Sequence, residues 1–298
     1  MLKSLSFILK PVKNSYEFPH YLAGLIEGDG TIVVPAKGIT SYTPYFEIIF
    51  HIEDKILADY VQLKVGGNFR IKENYCVLII KSKDSVLKLI NLINGNMRTP
   101  KIEALHRMIG WLNQNYGYKI PLLDLDHSPI NYNSWLSGFI DADGSFYLNW
   151  LYDKKGKPTS LQYYMRISQR QVYHRNNLSY FSIMSKISKF LSVPLRSRER
   201  KRINYLERSF EVRSGSYISN YIMLSYLLKY PLFSYKYRAV PVQIELLQLS
   251  KSKEYKLDSG LTKLLSLKEK QDYQIKSNLK SENYYYAHLE HILKYFPF

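Results

Sequence analysis

A ten-residue stretch occurs twice in this chain, as Tyr21-Leu-Ala-Gly-Leu-Ile-Glu-Gly-Asp-Gly30 and as Trp135-Leu-Ser-Gly-Phe-Ile-Asp-Ala-Asp-Gly144. Both copies read aromatic, Leu, small, Gly, apolar, Ile, acid, small, Asp, Gly. Residues four apart on a helix share a face, so Gly24 stacks with Gly28 and Gly138 with Ala142. Each helix therefore carries a nearly bare stripe, and two such stripes can pack with their backbones unusually close. Close packing would bring together the residues that end both helices, Asp29 and Asp143.

On its own that placement is unfavourable. A carboxylate at a helix C-terminus faces the negative end of the macrodipole, and two carboxylates sharing a site force one to stay protonated. A divalent cation removes both objections. Two Asp side chains, with backbone carbonyls freed at the helix ends (Gly28 and Ala142 are the candidates), form a hard oxygen set that suits Mg²⁺. A single copy would read as a Gly-capped core helix with a solvated acid; the repeated Asp-Gly ending points to a shared site.

These two stretches resemble the motifs of a double-motif LAGLIDADG homing endonuclease of the intron-encoded, organellar type. The resemblance implies a monomer that hydrolyses phosphodiesters on both strands of a long, asymmetric duplex DNA target. It implies Mg²⁺ as the cofactor, Mn²⁺ as a substitute, and Ca²⁺ as an ion that binds without supporting cleavage. A second role, as an RNA maturase acting on host intron RNA, stays open, as does a non-enzymatic DNA-binding protein on the same fold.

Composition agrees with a polyanionic partner. The 298 residues carry a formal charge of +17, which repels itself unless something acidic binds it. An anionic membrane is the competing partner, but no run of 18 or more apolar residues occurs. The lone cysteine, Cys76, allows no internal disulfide and suggests a reducing compartment. The N-terminal Met1–Lys10 stretch lacks a small-residue cleavage site and is not read as a signal peptide. The 28 tyrosines, with many Lys, Ile and Asn, match A+T-rich coding DNA and hence an organellar gene, for which the mitochondrion is the expected location.

Taken in order, the chain predicts an α+β protein with two pseudo-symmetric αββαββα halves, 1–118 and 132–298, joined by a linker over 119–131. The motif helix opens each half and ends at Gly30, read as a left-handed cap, or at Gly144. Strands are expected over 31–35, 41–52, 68–72 and 75–81 in the first half, and over 145–152, 161–169, 195–202 and 205–213 in the second. Helices are expected over 53–64, 82–93 and 101–115, then over 177–191, 216–229 and 236–249. Asp124, Asp126 and His127 fall in the linker, where turn formers commonly bring such residues, and are not read as a metal site. Beyond Ser250 a Lys-rich, then Tyr-rich addition is expected to be helical and to pack on the outside.

Alternation along the strands separates a core face from a polar one. Ile32, Val34, Phe146, Leu148 and Trp150 point inward. Thr31, Val33 and Lys37 share the opposite face, as do Ser145, Tyr147 and Asn149; Gln162, Tyr164, Arg166 and Ser168; Arg70 and Lys72; and Arg196, Arg198 and Arg200. Two such faces side by side would form a basic saddle, and a β-ribbon can enter the major groove, where Arg, Gln and Asn read base edges. Solvated Arg and Lys on an exposed sheet would show the same pattern. The resemblance adds three catalytic candidates beside Asp29 and Asp143. Met165-Arg-Ile-Ser-Gln-Arg170 looks like the segment bearing an active-site Gln, which gives Gln169; its counterpart in the first half is Phe50 or His51. Lys101 and Lys236 match paired basic residues beside the metals.

Overall fold

The computed structural model describes residues 17–276 and 282–296, apart from positions 37 and 40. The first repeat runs α1 (Glu17–Asp29), β1 (Gly30–Val33), β2 (Tyr45–His51), α2 (Lys55–Val65), β3 (Asn68–Ile71), β4 (Tyr75–Ile80), α3 (Lys83–Ile93) and α4 (Ile102–Tyr116). The second runs α5 (Trp135–Asp143), β5 (Gly144–Tyr152), β6 (Pro158–Arg170), α6 (Phe181–Phe190), β7 (Arg196–Lys201), β8 (Leu206–Arg213), α7 (Tyr217–Lys229) and α8 (Ala239–Ser252). Two further helices, α9 (Gly260–Lys276) and α10 (Glu282–Tyr295), have no counterpart in the first repeat. The expected α+β architecture is present.

Each repeat contributes one four-stranded antiparallel sheet, in the order β1-β2-β4-β3 and β5-β6-β8-β7. Alternation sorts the strands as their sequences require. Ile32, Phe46, Ile48, Leu78 and Ile80 of the first sheet, and Leu148, Met165, Ile167 and Val212 of the second, are buried beneath helices. The opposite faces stay open. Among the described residues no helix is long and apolar enough to cross a membrane.

The repeats meet along α1 and α5, whose Tyr21, Leu22, Ile26, Trp135, Phe139 and Ile140 are almost wholly buried. The bare stripes face one another. A methyl built on Gly24 would lie 2.8 Å from Phe139 N and closer still to Trp135 O, and one on Gly138 would lie 2.9 Å from Leu25 N. Glycine is therefore required there by the neighbouring backbone rather than by its own conformation. Gly30, which ends α1, differs from expectation, and Gly144 ends α5 in the same way. Gly144 is extended (φ −81°, ψ 152°), and neither it nor Gly30 has positive φ. Each passes so close to the preceding turn that an added Cβ would lie 2.6 Å from Ile26 O or Ile140 O, so the helix leads straight into the first strand without a left-handed cap.

Two other expectations fail for physical reasons. The helix expected from Asn177 starts at Phe181, because residues 171–180 fold back on themselves: Tyr180 N donates to Gln171 O at 2.9 Å and Asn177 takes a left-handed φ of 56°. The C-terminal addition does not lie wholly outside. Phe296 is buried against Phe18, Tyr21 and Tyr60 of the first repeat and Phe233 of the second, with Tyr60 donating its hydroxyl to Phe296 O at 2.7 Å. Buried aromatic area outweighs the polar surroundings of that sequence.

Candidate metal centre and nucleic-acid interface

The close packing of α1 and α5 brings the helix ends together. A Cβ on Gly28 would lie 2.9 Å from Asp143 Oδ2, so the second-repeat acid sits against the first-repeat helix end. Burial, with the nearby charge of Asp29, pushes the Asp143 carboxyl up to about 6. Burial also raises Asp29, against the pull of Lys236 and Lys101. Two desolvated carboxylates, one of them raised further by the charge of the other and the second by Asp141, form a concentration of buried negative charge that a cation would relieve. Hard oxygen donors suit a divalent ion, and the donor set fits Mg²⁺. Among the described residues no cluster of three or more His, Cys, Asp or Glu side chains could hold a metal.

Both lysines reach back to these helix ends. Lys101, just before α4, donates from Nζ to Ile26 O (3.0 Å), Gly28 O (3.2 Å) and Gly30 O (2.9 Å). Lys236 does the same at α5, to Ile140 O (3.3 Å), Asp141 O (2.6 Å) and Ala142 O (3.0 Å). Neither serves its own helix as an ordinary first-turn residue: Lys236 lies in a 3₁₀ turn, Tyr235–Arg238, ahead of α8. Each supplies positive charge where the helix dipole is negative. The Gly28 and Ala142 carbonyls thus already accept one hydrogen bond each and retain a second lone pair.

The other motif acids are fully engaged elsewhere. Glu27 accepts from the backbone N–H groups of Arg98 (2.9 Å) and Thr99 (2.5 Å) and from Trp135 Nε1 (2.6 Å). Asp141 accepts from Phe233 N (2.7 Å), the Ser234 hydroxyl and Tyr21 OH (2.7 Å). Each repeat's acid therefore anchors the segment that leads to its own lysine, and it also receives the aromatic residue that opens the other repeat's motif.

Sheet register settles the position of Gln169. Gly144 pairs with Ile167 and Gly30 with Ile48, so two residues further along Gln169 corresponds to Phe50, not His51. Gln169 donates to Asp143 Oδ2, whereas Phe50 is buried in the first core. An open cleft of about 700 Å³ contains Asp29, Asp143, Lys101 and Gln169, flanked by Thr31, Val33, Ser168 and Arg170.

The open faces carry the expected residues but are unequal. In the second sheet Ser145 pairs with Arg166, Tyr147 with Tyr164, Asn149 with Gln162, Arg166 with Arg213 and Ser168 with Glu211. Arg196, Arg198 and Arg200 continue this face opposite Glu211, Ser209 and Glu207. Tyr147 and Tyr164 stack at 4.7 Å, and Arg198 and Arg213 both form ion pairs with Glu211, at 2.8 and 2.7 Å. Among the described residues the first sheet carries fewer basic side chains on this face, chiefly Arg70, Lys72 and Lys81, whose Nζ lies over the Tyr45 ring. Thr31 and Val33 share their face with Glu47, Ile49, Val77 and Ile79 through the pairs Thr31↔Glu47, Glu47↔Ile79 and Ile49↔Val77, and Arg70 lies 3.9 Å from Glu47. Lys72 is exposed just past β3, and Lys37 lies outside the described residues. Strand alternation located the face, but not which neighbours would share it.

The site defines a class: two αββαββα repeats, joined along glycine stripes, that bring one acid each to a shared centre beneath two open sheets. The chain matches the family model of the LAGLIDADG endonucleases over residues 22–112 and again over 136–241, and it belongs to that family. Among its relatives is the intron-encoded DNA endonuclease aI3 of Saccharomyces cerevisiae, 35% identical over 73% of this chain and 60% of that protein. Another is the intron-encoded RNA maturase bI4 of the same yeast, 29% identical over 48% of this chain and 26% of that protein. The chain thus spans less than two thirds of these relatives' lengths. Among solved structures, the LAGLIDADG meganuclease I-AabMI bound to uncleaved DNA has a TM-score of 0.61 at 19% identity, covering 84% of this chain and 98% of that one. I-GzeII, in complex with its DNA target, has 0.60 at 16%, over 84% and 97%. At these identities the likeness is one of fold.

Proposed function

We propose that this chain is a site-specific endonuclease that cuts both strands of a long, asymmetric duplex DNA target as a monomer. The observation that carries the proposal is the pairing of Asp29 and Asp143 within one cleft that opens onto both sheets. The DNA-bound state of its structural neighbours supports duplex DNA as the substrate. Asp29 and Asp143, with the Gly28 and Ala142 carbonyls, would hold Mg²⁺. A divalent cation there supplies charge neutralisation at the phosphate and eases deprotonation of an attacking water.

The chain's own groups do the rest. Lys101 and Lys236 fix the helix ends and add positive charge beside the phosphates. Gln169 orients one carboxylate through a hydrogen bond that its counterpart Phe50 cannot make. The two strand cuts are therefore chemically unequal, and equal single-strand nicking rates would count against this. Six arginines of the second sheet, Arg166, Arg170, Arg196, Arg198, Arg200 and Arg213, and the polar residues beside them follow one half of the target. Thr31, Val33, Arg70 and Lys72 follow the other. With unequal halves, the preferred site is not a palindrome.

The test is Asp29→Asn and Asp143→Asn, assayed against duplexes selected as cleaved from a randomised library. Either substitution should abolish double-strand breaks in Mg²⁺ while leaving duplex affinity in Ca²⁺ intact. Wild-type cleavage by either variant would sink the proposal. Relatedness to an RNA maturase supports a second role on intron RNA, which a splicing assay with the two Asn variants would separate from nuclease activity. The relatives' names, intron-encoded proteins including one from a cox1 intron, support an intron-encoded origin and a mitochondrial location.

A further inference from the structure

The segments that carry the two lysines correspond residue for residue: Met97-Arg-Thr-Pro-Lys101 and Leu232-Phe-Ser-Tyr-Lys236. Both are held from inside by the motif acid of their own repeat. Both are also held from outside, at the same carbonyl, by chain that is not part of the repeat. Met97 O accepts from Asp126 N (2.8 Å), in the segment joining the repeats. Leu232 O accepts from His291 Nε2 (2.8 Å), and the next carbonyl, Phe233 O, accepts from His288 Nε2 (2.7 Å); both histidines are on α10. A carbonyl can only accept, so each Nε2 carries the proton. Burial lowers both imidazoles below their ordinary range, which keeps the rings neutral and in donating form.

The surroundings reinforce each tie. His291 stacks on Tyr237 at 4.2 Å and 15°, and His288 lies 5.1 Å from the same ring, which directly follows Lys236. On the other side, the buried Arg98 guanidinium bonds Asp126 Oδ2 (2.6 Å), Ser128 O (2.7 Å) and Ser128 Oγ (2.7 Å). The added helix and the joining segment thus perform one task at corresponding positions.

We propose that His288 and His291 are positioning residues for Lys236, and that the Arg98–Asp126–Ser128 contacts position Lys101, so that each non-repeated element governs one strand cut. This rests on the endonuclease reading above. A lysine displaced by an ångström from a phosphate costs up to ~100-fold in rate. His291→Phe keeps a ring over Tyr237 but removes the donor, while His291→Gln restores a donor. On a duplex selected as cleaved by the wild-type chain, with each strand labelled separately, H291F should slow one strand at least ~10-fold and leave the other within about twofold. H291Q should recover most of that loss, and Arg98→Met should slow the opposite strand. Duplex affinity in Ca²⁺ should stay unchanged throughout.

Equal slowing of both strands by H291F, no slowing at all, or failure of H291Q to recover the rate would overturn the proposal. If H291F fails to fold, R98M decides alone: strand-selective slowing supports the proposal and equal slowing refutes it. A wild-type chain that cuts no member of the library overturns the endonuclease reading instead, so the two failures are distinguishable.

Discussion

Gly24→Ala separates two views of the repeated motif. In an isolated helix the substitution gains about 1 kcal/mol in propensity. Here the new methyl would lie 2.8 Å from Phe139 N and closer to Trp135 O, where ordinary contact begins at 3.4 Å. The helices must separate by at least about 0.6 Å, and neither obstacle is a side chain that can rotate away. Overpacking of this kind costs up to ~3 kcal/mol. Separation also stretches the Tyr21–Asp141 and Trp135–Glu27 hydrogen bonds, each worth about 1.5–3 kcal/mol as a buried bond to a charged group. Overpacking less the propensity gain leaves a loss of ~2 kcal/mol, to which the weakened bonds add, a large fraction of the about 5–15 kcal/mol that holds a typical domain folded. Gly110, in the middle of α4 with nothing within 4 Å of its missing Cβ, is the matched control, and Gly110→Ala should stabilise by roughly 0.5–1 kcal/mol. Urea unfolding of the two variants beside the wild type measures the difference. A G24A midpoint within about 1 kcal/mol of wild type would show that the helices do not depend on bare backbone contact, and the account of their seam would fail.

The cross-repeat bonds give a second test. Tyr21→Phe leaves Asp141 with two donors and should cost ~2 kcal/mol in urea unfolding; an unchanged midpoint would show that the hydroxyl contributes nothing. Asp54 gives a third. Its buried carboxyl accepts from Tyr235 N at 2.5 Å, and burial pushes it up to about 8 from an ordinary 3.8. The folded state therefore keeps a proton that the unfolded state has lost, and this group's contribution falls by ~1.4 kcal/mol per pH unit as pH rises from about 4 to about 8. Asp54→Asn should leave stability near pH 4 little changed and gain progressively on wild type up to about pH 8. Parallel stability curves would remove the assignment.

Local features of the sequence were enough for much of this molecule. Strand alternation separated Thr31, Ser145, Tyr147 and Arg166 from their buried neighbours because period-two patterning is a property of adjacent residues. The helices fell within a few residues of expectation wherever an apolar stripe and a cap coincided, as at Ser82 ahead of α3. What escaped depends on pairing across long separations. Choosing between Phe50 and His51 needed the register of β1 on β2, and the capping of α5 by Lys236 spans most of the second repeat. His288 and His291 sit in a Lys- and Tyr-rich segment with no local sign that two carbonyls wait for them. Gly30 misled because a glycine after a helix ordinarily signals a left-handed turn, whereas here, as at Gly144, it marks a close approach.

The exchange of aromatic donors between the motifs has a further meaning for how such a molecule can be altered. The longer Glu27 reaches an indole and the shorter Asp141 a phenol, so the two locks are not interchangeable. A hybrid that takes one repeat from this chain and the other from a relative inherits one partner of each lock and leaves both mismatched unless the relative has the same assortment. The sheet faces can be recombined one by one; the paired helices must travel together.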